Sequence, residues 1–173
     1  NEDPRIPGPW AHGQATVNRI RLHHVEDGAG PLVLLSHSFP EFGCAWRNPL
    51  PALAEAGYHA AAADRRGYNA SDSAADGELR IDCLVEVVVA LIRFFDVDRA
   101  TLDGHDRGGL IAWKTALMRP AVVERWVPHI RIERIRDSSH WVQNDAPDRV
   151  NFLLLAFLPA HSTDGRSHAR SAR

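Results

Sequence analysis

The chain has 173 residues, enough for one domain with a real core and a stretch for two; 45% of the residues are hydrophobic and 8% aromatic, as in a globular protein. A formal net charge of -2 supplies no long-range pull toward nucleic acid or an anionic membrane, so neither is expected as a partner. No apolar run is long enough to span a bilayer, and Asn1 to Pro9 lacks the basic-then-apolar pattern of a signal peptide. The two cysteines, Cys44 and Cys83, have no C-x-x-C spacing, which argues against a zinc knuckle or disulfide framework. The expected setting is the cytoplasm, with no metal and no other cofactor.

Residues 1–13 are rich in Pro and Gly and read as an irregular segment. Gln14–Val17 and Ile20–Val25 read as a hairpin. Its neighbouring histidines, His23 and His24, point to opposite faces and make a poor metal pair; surface or half-buried positions are expected. Pro31–Leu35 is a continuous apolar run, the signature of a central strand buried on both faces. It ends in the loop Ser36–Glu41, at the strand end where open α/β sheets place ligands. Trp46–Ala56 has helical spacing, with Pro49 and Pro51 tolerable only near its first turn and Gly57 as C-cap. Tyr58–Ala63 reads as a strand leading into the loop Asp64–Asp72. The strongest helix is Leu79–Phe95, with Ile81, Leu84, Val88, Leu91, Ile92 and Phe95 on one face, although its valines weaken the propensity.

Ala100-Thr101-Leu102 is a short strand, followed by Gly104-His105-Asp106-Arg107-Gly108-Gly109 and a helical stretch, Leu110–Met118. This is a strand-to-helix elbow of the G-x-S-x-G kind, in which glycines permit close backbone approach around an exposed nucleophile. With aspartate in the middle, the chemistry it favours is attack on a saturated carbon, giving an enzyme ester that water then hydrolyses. The plain alternative for Asp106 is a helix N-cap. Beyond the elbow helix, Val123–Arg136 has room for at most one in-sheet parallel strand, expected beside the elbow strand. Pro147 suits the first position of a helix capped from Asn144 or Asp145, with Val150, Leu153, Leu154 and Phe157 as its apolar stripe. Residues 14–158 thus read as one domain and 159–173 as a flexible basic tail.

Four of these stretches together resemble the α/β-hydrolases of the epoxide hydrolase and haloalkane dehalogenase branch. His37-Ser38-Phe39-Pro40-Glu41 resembles the family's His-Gly-x-Pro oxyanion loop, and Asp64 to Asp72 its Asp-x-Arg-Gly-x-Gly-x-Ser loop. Gly104 to Gly109 resembles its aspartate elbow, and Ser139-His140-Trp141-Val142-Gln143 the loop carrying its catalytic histidine. The resemblance implies a mostly parallel sheet flanked by helices, a truncated α/β-hydrolase core. It also implies a small apolar organic substrate, Asp106 as nucleophile and His140 as the base for the hydrolytic water. The backbone N–H groups of Phe39 and Arg107 would then be the oxyanion donors.

The chain departs from that family in several places. The stretch from Asp106 to His140 is too short for the two further crossover units, of about 30 residues each, and the helical cap that the family carries there. Pro128-His129 reads as a remnant of the loop leading to that cap. With the cap go the tyrosines that assist epoxide opening, and Tyr58 and Tyr68 match positions outside it. The acid that orients the histidine is unlocated; Asp103, Asp137 and Glu133 are the candidates. Ser38 and Asn69 stand where glycines are expected. Arg107 replaces a halide-binding tryptophan and resembles the fluoroacetate dehalogenase branch, although that branch's second arginine falls on Leu110. Three functions stay open: an epoxide hydrolase, a dehalogenase of fluoroacetate type, and a catalytically silent relative. Without a cap, a solvent-open nucleophile and self-association through uncovered apolar surface are expected.

Overall fold

The first two strands pair antiparallel, β1 (Ala11–Val17) with β2 (Ile20–Asp27), and the turn between them places Asn18 and Arg19 at positive φ. The computed structural model describes residues 7–73, 79–124 and 133–158. The 1–6 part of the N-terminal segment, Pro128-His129 and the tail from 159 onward lie outside these residues. The remaining strands are β3 (Leu32–Ser36), β4 (His59–Ala63) and β5 (Thr101–Gly104). The sheet order is β1-β2-β4-β3-β5, with β3 parallel to both β4 and β5 and β2 antiparallel to β4. The chain leaves β3 toward β4 and then crosses back to β5 on the other side of β3. Ligand clefts in open α/β sheets form where the strand order switches in this way.

Helices cover both faces. α2 (Ile81–Phe94) and α3 (Arg107–Met118) lie on one side over Leu22, Leu34, Ala61, Leu84, Val88 and Ile111. On the other, α1 (Pro49–Glu55) packs with Val33, Leu35, Trp46, Leu50 and Leu53. A one-turn helix, α4 (Val142–Asp145), leads into α5 (Pro147–Phe157), which joins this second layer. The helical periodicity of α2 understates its burial: Val85, Val87 and Val89 are buried along with the expected face. Contacts to α3 and to β1 enclose it from more than one side, and that burial outweighs the low helix propensity of valine.

Several expectations are corrected. The segment expected to be irregular through residue 13 enters β1 at Ala11. The 46–56 helix is two pieces, a 3-10 turn at Gly43–Trp46 and then α1, because Pro49 sits at the first helical position and lacks an N–H to continue the preceding turn. The C-cap of α1 is Ala56, with Gly57 one place later at φ 85°. Neither Asn144 nor Asp145 caps α5; its N-cap is Ala146, and the Asp145 carboxylate instead accepts the Ser139 N–H at 2.6 Å. The stripe of α5 is only half-buried and Phe157 is exposed, while Leu155 and Leu158 make the core contacts.

His23 and His24 are both buried, contrary to the surface or half-buried placement expected. The His23 ring meets the Asp64 carboxylate at 2.7 Å from Nδ1, and His24 packs edge-on against Phe94 and Phe95. Past α3, Val123 forms an isolated parallel bridge with Ala100 beside the elbow strand; residues 125–132 of the expected strand are outside the described residues, and 133–136 are not strand.

Candidate active site

Parallel pairing of β3 with β5 sets Ser36 opposite Gly104, so the loops that leave the two strands start side by side. His105 N–H donates to the Ser36 carbonyl at 3.1 Å, which closes the elbow onto the β3 loop. The glycines make this approach possible. A Cβ on Gly108 would run into the Ser36 carbonyl, and one on Gly104 into the Gly108–Gly109 peptide.

At the corner, Asp106 holds φ 50° and ψ -111°, a sparsely populated conformation for a residue with a side chain. It occupies the N-cap position of α3, yet its side chain makes no capping hydrogen bond. The carboxylate instead accepts the Ser38 hydroxyl, Oγ to Oδ2, at 2.6 Å. That hydroxyl, joined by the backbone N–H of Arg107, holds the Asp106 carboxyl below its ordinary range. It is therefore ionised at neutral pH. The Phe39 N–H makes no hydrogen bond to it among the described residues.

The β3 loop is itself braced. Burial pushes the His37 imidazole down to about 4, so the ring is neutral, and its Nδ1–H donates to the Ser38 carbonyl at 2.7 Å. Its Nε2 is then an acceptor and takes the Arg65 N–H at 3.0 Å. The Arg65 guanidinium adds a second donor to the Ser38 carbonyl at 2.9 Å and lies over the Tyr68 ring. The Asp64–Asp72 loop thus supports the β3 loop directly. Of the two residues standing for glycines, Asn69 adopts a left-handed φ of 45°, which asparagine tolerates, whereas Ser38 needs no positive φ.

His140 reaches the elbow from the far end of the chain. Its Nε2 lies 3.9 Å from Asp106 Oδ2, beyond direct hydrogen-bond length. The ring stacks at a tilt on His105, with centroids 4.6 Å apart, and its backbone carbonyl accepts His105 Nε2–H at 2.7 Å. His105 Nδ1 faces the Glu41 carboxylate at 3.4 Å, and Gln143 Nε2 approaches the same Glu41 oxygen at 3.5 Å. Of the acids weighed as orienting partners, Asp103 spends Oδ1 on the Gly104 N–H at 2.8 Å, Asp137 is exposed at φ 61°, and Glu133 pairs with Arg149. None of the three bonds to the His140 ring among the described residues.

Solvent reaches both partners, with the Asp106 side chain 39% and the His140 side chain 54% exposed. Phe39, Leu110 and Trp141, which flank Ser38, the elbow and His140 in sequence, also leave large apolar side chains in water.

A sequence profile of the alpha/beta hydrolase fold matches residues 31–127. The chain belongs to the α/β-hydrolase family. An epoxide hydrolase of Caballeronia sordidicola is 40% identical over 144 residues, covering 77% of this chain and 44% of that protein. The rat bifunctional epoxide hydrolase 2 is 40% identical over 119 residues, covering 68% and 22%. Among solved structures, an epoxide hydrolase from an endophytic Streptomyces superposes with a TM-score of 0.63 at 45% identity, over 66% of this chain and 35% of that one. One from Vigna radiata gives 0.65 at 35% identity, over 74% and 42%. The chain spans less than half the length of each of these relatives.

Within this α/β-hydrolase, Asp106 and Arg107 at the elbow lie near His140, whose Nε2 is 3.9 Å from Asp106 Oδ2. The motifs alone do not single out His105 and Glu41. Both lie inside the elbow and β3-loop motifs, where a histidine beside Asp106 and a carboxylate two residues past Phe39 are the signal for them. Ser38 was noted only as a missing glycine. No helix among the described residues is long and apolar enough to cross a membrane.

Proposed function

We propose that the chain is a hydrolase of epoxide hydrolase type. Asp106 attacks a carbon of a small, largely apolar epoxide and forms an alkyl ester. His140 then takes a proton from the water that hydrolyses it, with the Arg107 and Phe39 N–H groups receiving the oxyanion. The observation carrying this reading is the state of the Asp106 carboxylate. It sits on a strained corner, makes no side-chain capping bond to α3, is ionised, and lies one short gap from an imidazole. An aspartate retained merely to start α3 would need neither the strain nor the histidine. The kinship with epoxide hydrolases supports the same chemistry.

The test is intact-mass spectrometry after incubation with styrene oxide. The protein should gain the mass of the epoxide, persistently in His140→Gln and not at all in Asp106→Asn. No adduct in wild type or His140→Gln would remove the proposal.

A second reading, a silent relative that self-associates, draws on the exposed Phe39, Leu110 and Trp141 and on the open dyad, since poor water exclusion weakens catalysis. It predicts concentration-dependent sedimentation with no turnover. A dehalogenase of fluoroacetate type rests on Arg107 alone, and fluoride release measured with an ion-selective electrode would distinguish it.

A further inference from the structure

We propose that the Ser38 hydroxyl is a third oxyanion donor, a catalytic group for ester hydrolysis on Asp106; this rests on the aspartate-ester reading above. Ser38 is fully buried, and its Oγ lies 2.6 Å from Asp106 Oδ2. The hydroxyl has one proton and two acceptors in range, Asp106 Oδ2 and, at 3.2 Å, the Phe39 carbonyl. The shorter, charge-assisted bond to the carboxylate takes it. The donor is also held in place before any reaction. Its own carbonyl is gripped by His37 Nδ1 and Arg65 Nη2, so little reorganisation is needed when charge arrives.

With Oδ2 engaged by Ser38, Oδ1 is the oxygen left to attack. In the first step an Oδ1 electron pair forms the bond to the epoxide carbon, the carbon–oxygen bond of the ring breaks, and the released alkoxide takes a proton from solvent. Negative charge drains from the carboxylate as this happens. A donor on Oδ2 is then stronger in the ground state than in the transition state, and it slightly retards alkylation. In the second step water adds to Cγ, its proton passes to His140 Nε2, and the carbonyl π pair moves onto Oδ2. Charge now builds at the atom Ser38 already faces, so the same hydrogen bond strengthens and accelerates the step. The pair returns, the Cγ–Oδ1 bond breaks, and the diol leaves with Oδ1 and the His140 proton. The new carboxyl group ionises, returning the proton borrowed in the first step. Ser38 therefore acts oppositely on the two halves of the cycle, a signature that simple loss of packing does not produce.

The experiment is rapid mixing of wild type, Ser38→Ala and Ser38→Gly with styrene oxide, following formation and decay of the adduct by quenched intact-mass spectrometry. Two variants are used so that the result does not hang on one of them folding, which circular dichroism checks. The expected result is formation as fast as wild type or faster, with decay about 100-fold slower, the usual loss for one oxyanion donor. In parallel, the Asp106 carboxyl carbon titration followed by NMR should move upward in the variants. Decay within about threefold of wild type, with that titration shifted, overturns the role: the hydrogen bond would exist and go unused. Equal slowing of both phases also overturns it. No adduct and no turnover in wild type would instead defeat the aspartate-ester reading itself, and this role with it.

Discussion

His105 Nε2 donates to the backbone carbonyl of His140 at 2.7 Å, tying the residue beside Asp106 to the residue proposed as base. The Glu41 carboxylate lies 3.4 Å from the other ring nitrogen. No acid bonds the His140 ring among the described residues, and this backbone tie is one of the contacts that hold the proposed base near Asp106. His105→Phe would retain the ring stack and lose the tie. Small displacements of a catalytic group cost up to about 100-fold in rate, so hydrolysis of the Asp106 ester should fall by about that factor while its formation changes little. Single-turnover decay of the adduct measures this, and the thermal midpoint should move by only a few degrees.

The elbow glycines give a stability prediction independent of catalysis. A Cβ on Gly108 meets the Ser36 carbonyl, and both lie on backbone fixed by β3 and α3, so neither can step aside. Overpacking of this kind costs about 1–3 kcal/mol, and with backbone on both sides the upper end applies. Gly108→Ala should lose about 3 kcal/mol in urea unfolding. Gly67, where among the described residues a Cβ would meet only the Ser73 hydroxyl at 3.7 Å, carries instead the cost of its φ of 78°; Gly67→Ala should lose about 1 kcal/mol.

The sheet and its flanking helices were legible because their signals are local: the apolar run of β3, the periodicity of α2 and the glycines of the elbow. Reading Asp106 as a nucleophile needed only its own motif and the loops around it. What stayed hidden was set by register. His105 meets Glu41 and His140 only because Ser36 pairs with Gly104, and pairing between distant strands leaves no mark in either segment. His23 and His24 were misplaced for the same reason. A histidine's burial depends on what the fold brings to it, here Asp64 from 41 residues away for His23 and the end of α2 for His24. The caps of α5 failed differently: Asp145 had the right chemistry for capping, but the Ser139 N–H claimed its carboxylate first.

Asp64 is predicted to be a structural carboxylate. Burial raises the energy of its charge, yet donors from His23, the Gly43 N–H and Asn69 outweigh that and hold its carboxyl below the ordinary range. Replacement by Asn leaves these donors facing a neutral and partly mismatched group, a loss of about 3 kcal/mol. The sign of the pH effect follows from the lowered value. The native state binds fewer protons than the unfolded chain, so the stabilisation is present above the unfolded value near ~4 and is lost as pH falls through the folded one. Urea midpoints of wild type should therefore drop steeply below about pH 4, and those of Asp64→Asn should start lower and drop less.

Asp103 should behave in the opposite way. It is the penultimate residue of β5, where its Oδ1 accepts the Gly104 N–H, and burial pushes its carboxyl up to about 6. The native state then holds a proton that the unfolded chain, with an ordinary value near ~4, has already released. Stability contributed at low pH is accordingly lost as pH rises from about 4 to about 6, and above that window an ionised Asp103 costs about 2 kcal/mol. Asp103→Asn keeps the acceptor for Gly104 and removes the charge. It should be close to neutral at pH 4 and stabilising by about 2 kcal/mol at pH 8, the difference appearing between those limits in a series of urea melts. The same substitution also separates the two parts considered for this residue. If Asp103 oriented His140, the gain in stability would come with slower decay of the Asp106 ester; its hydrogen bond to Gly104 leads to the expectation that ester decay is unchanged.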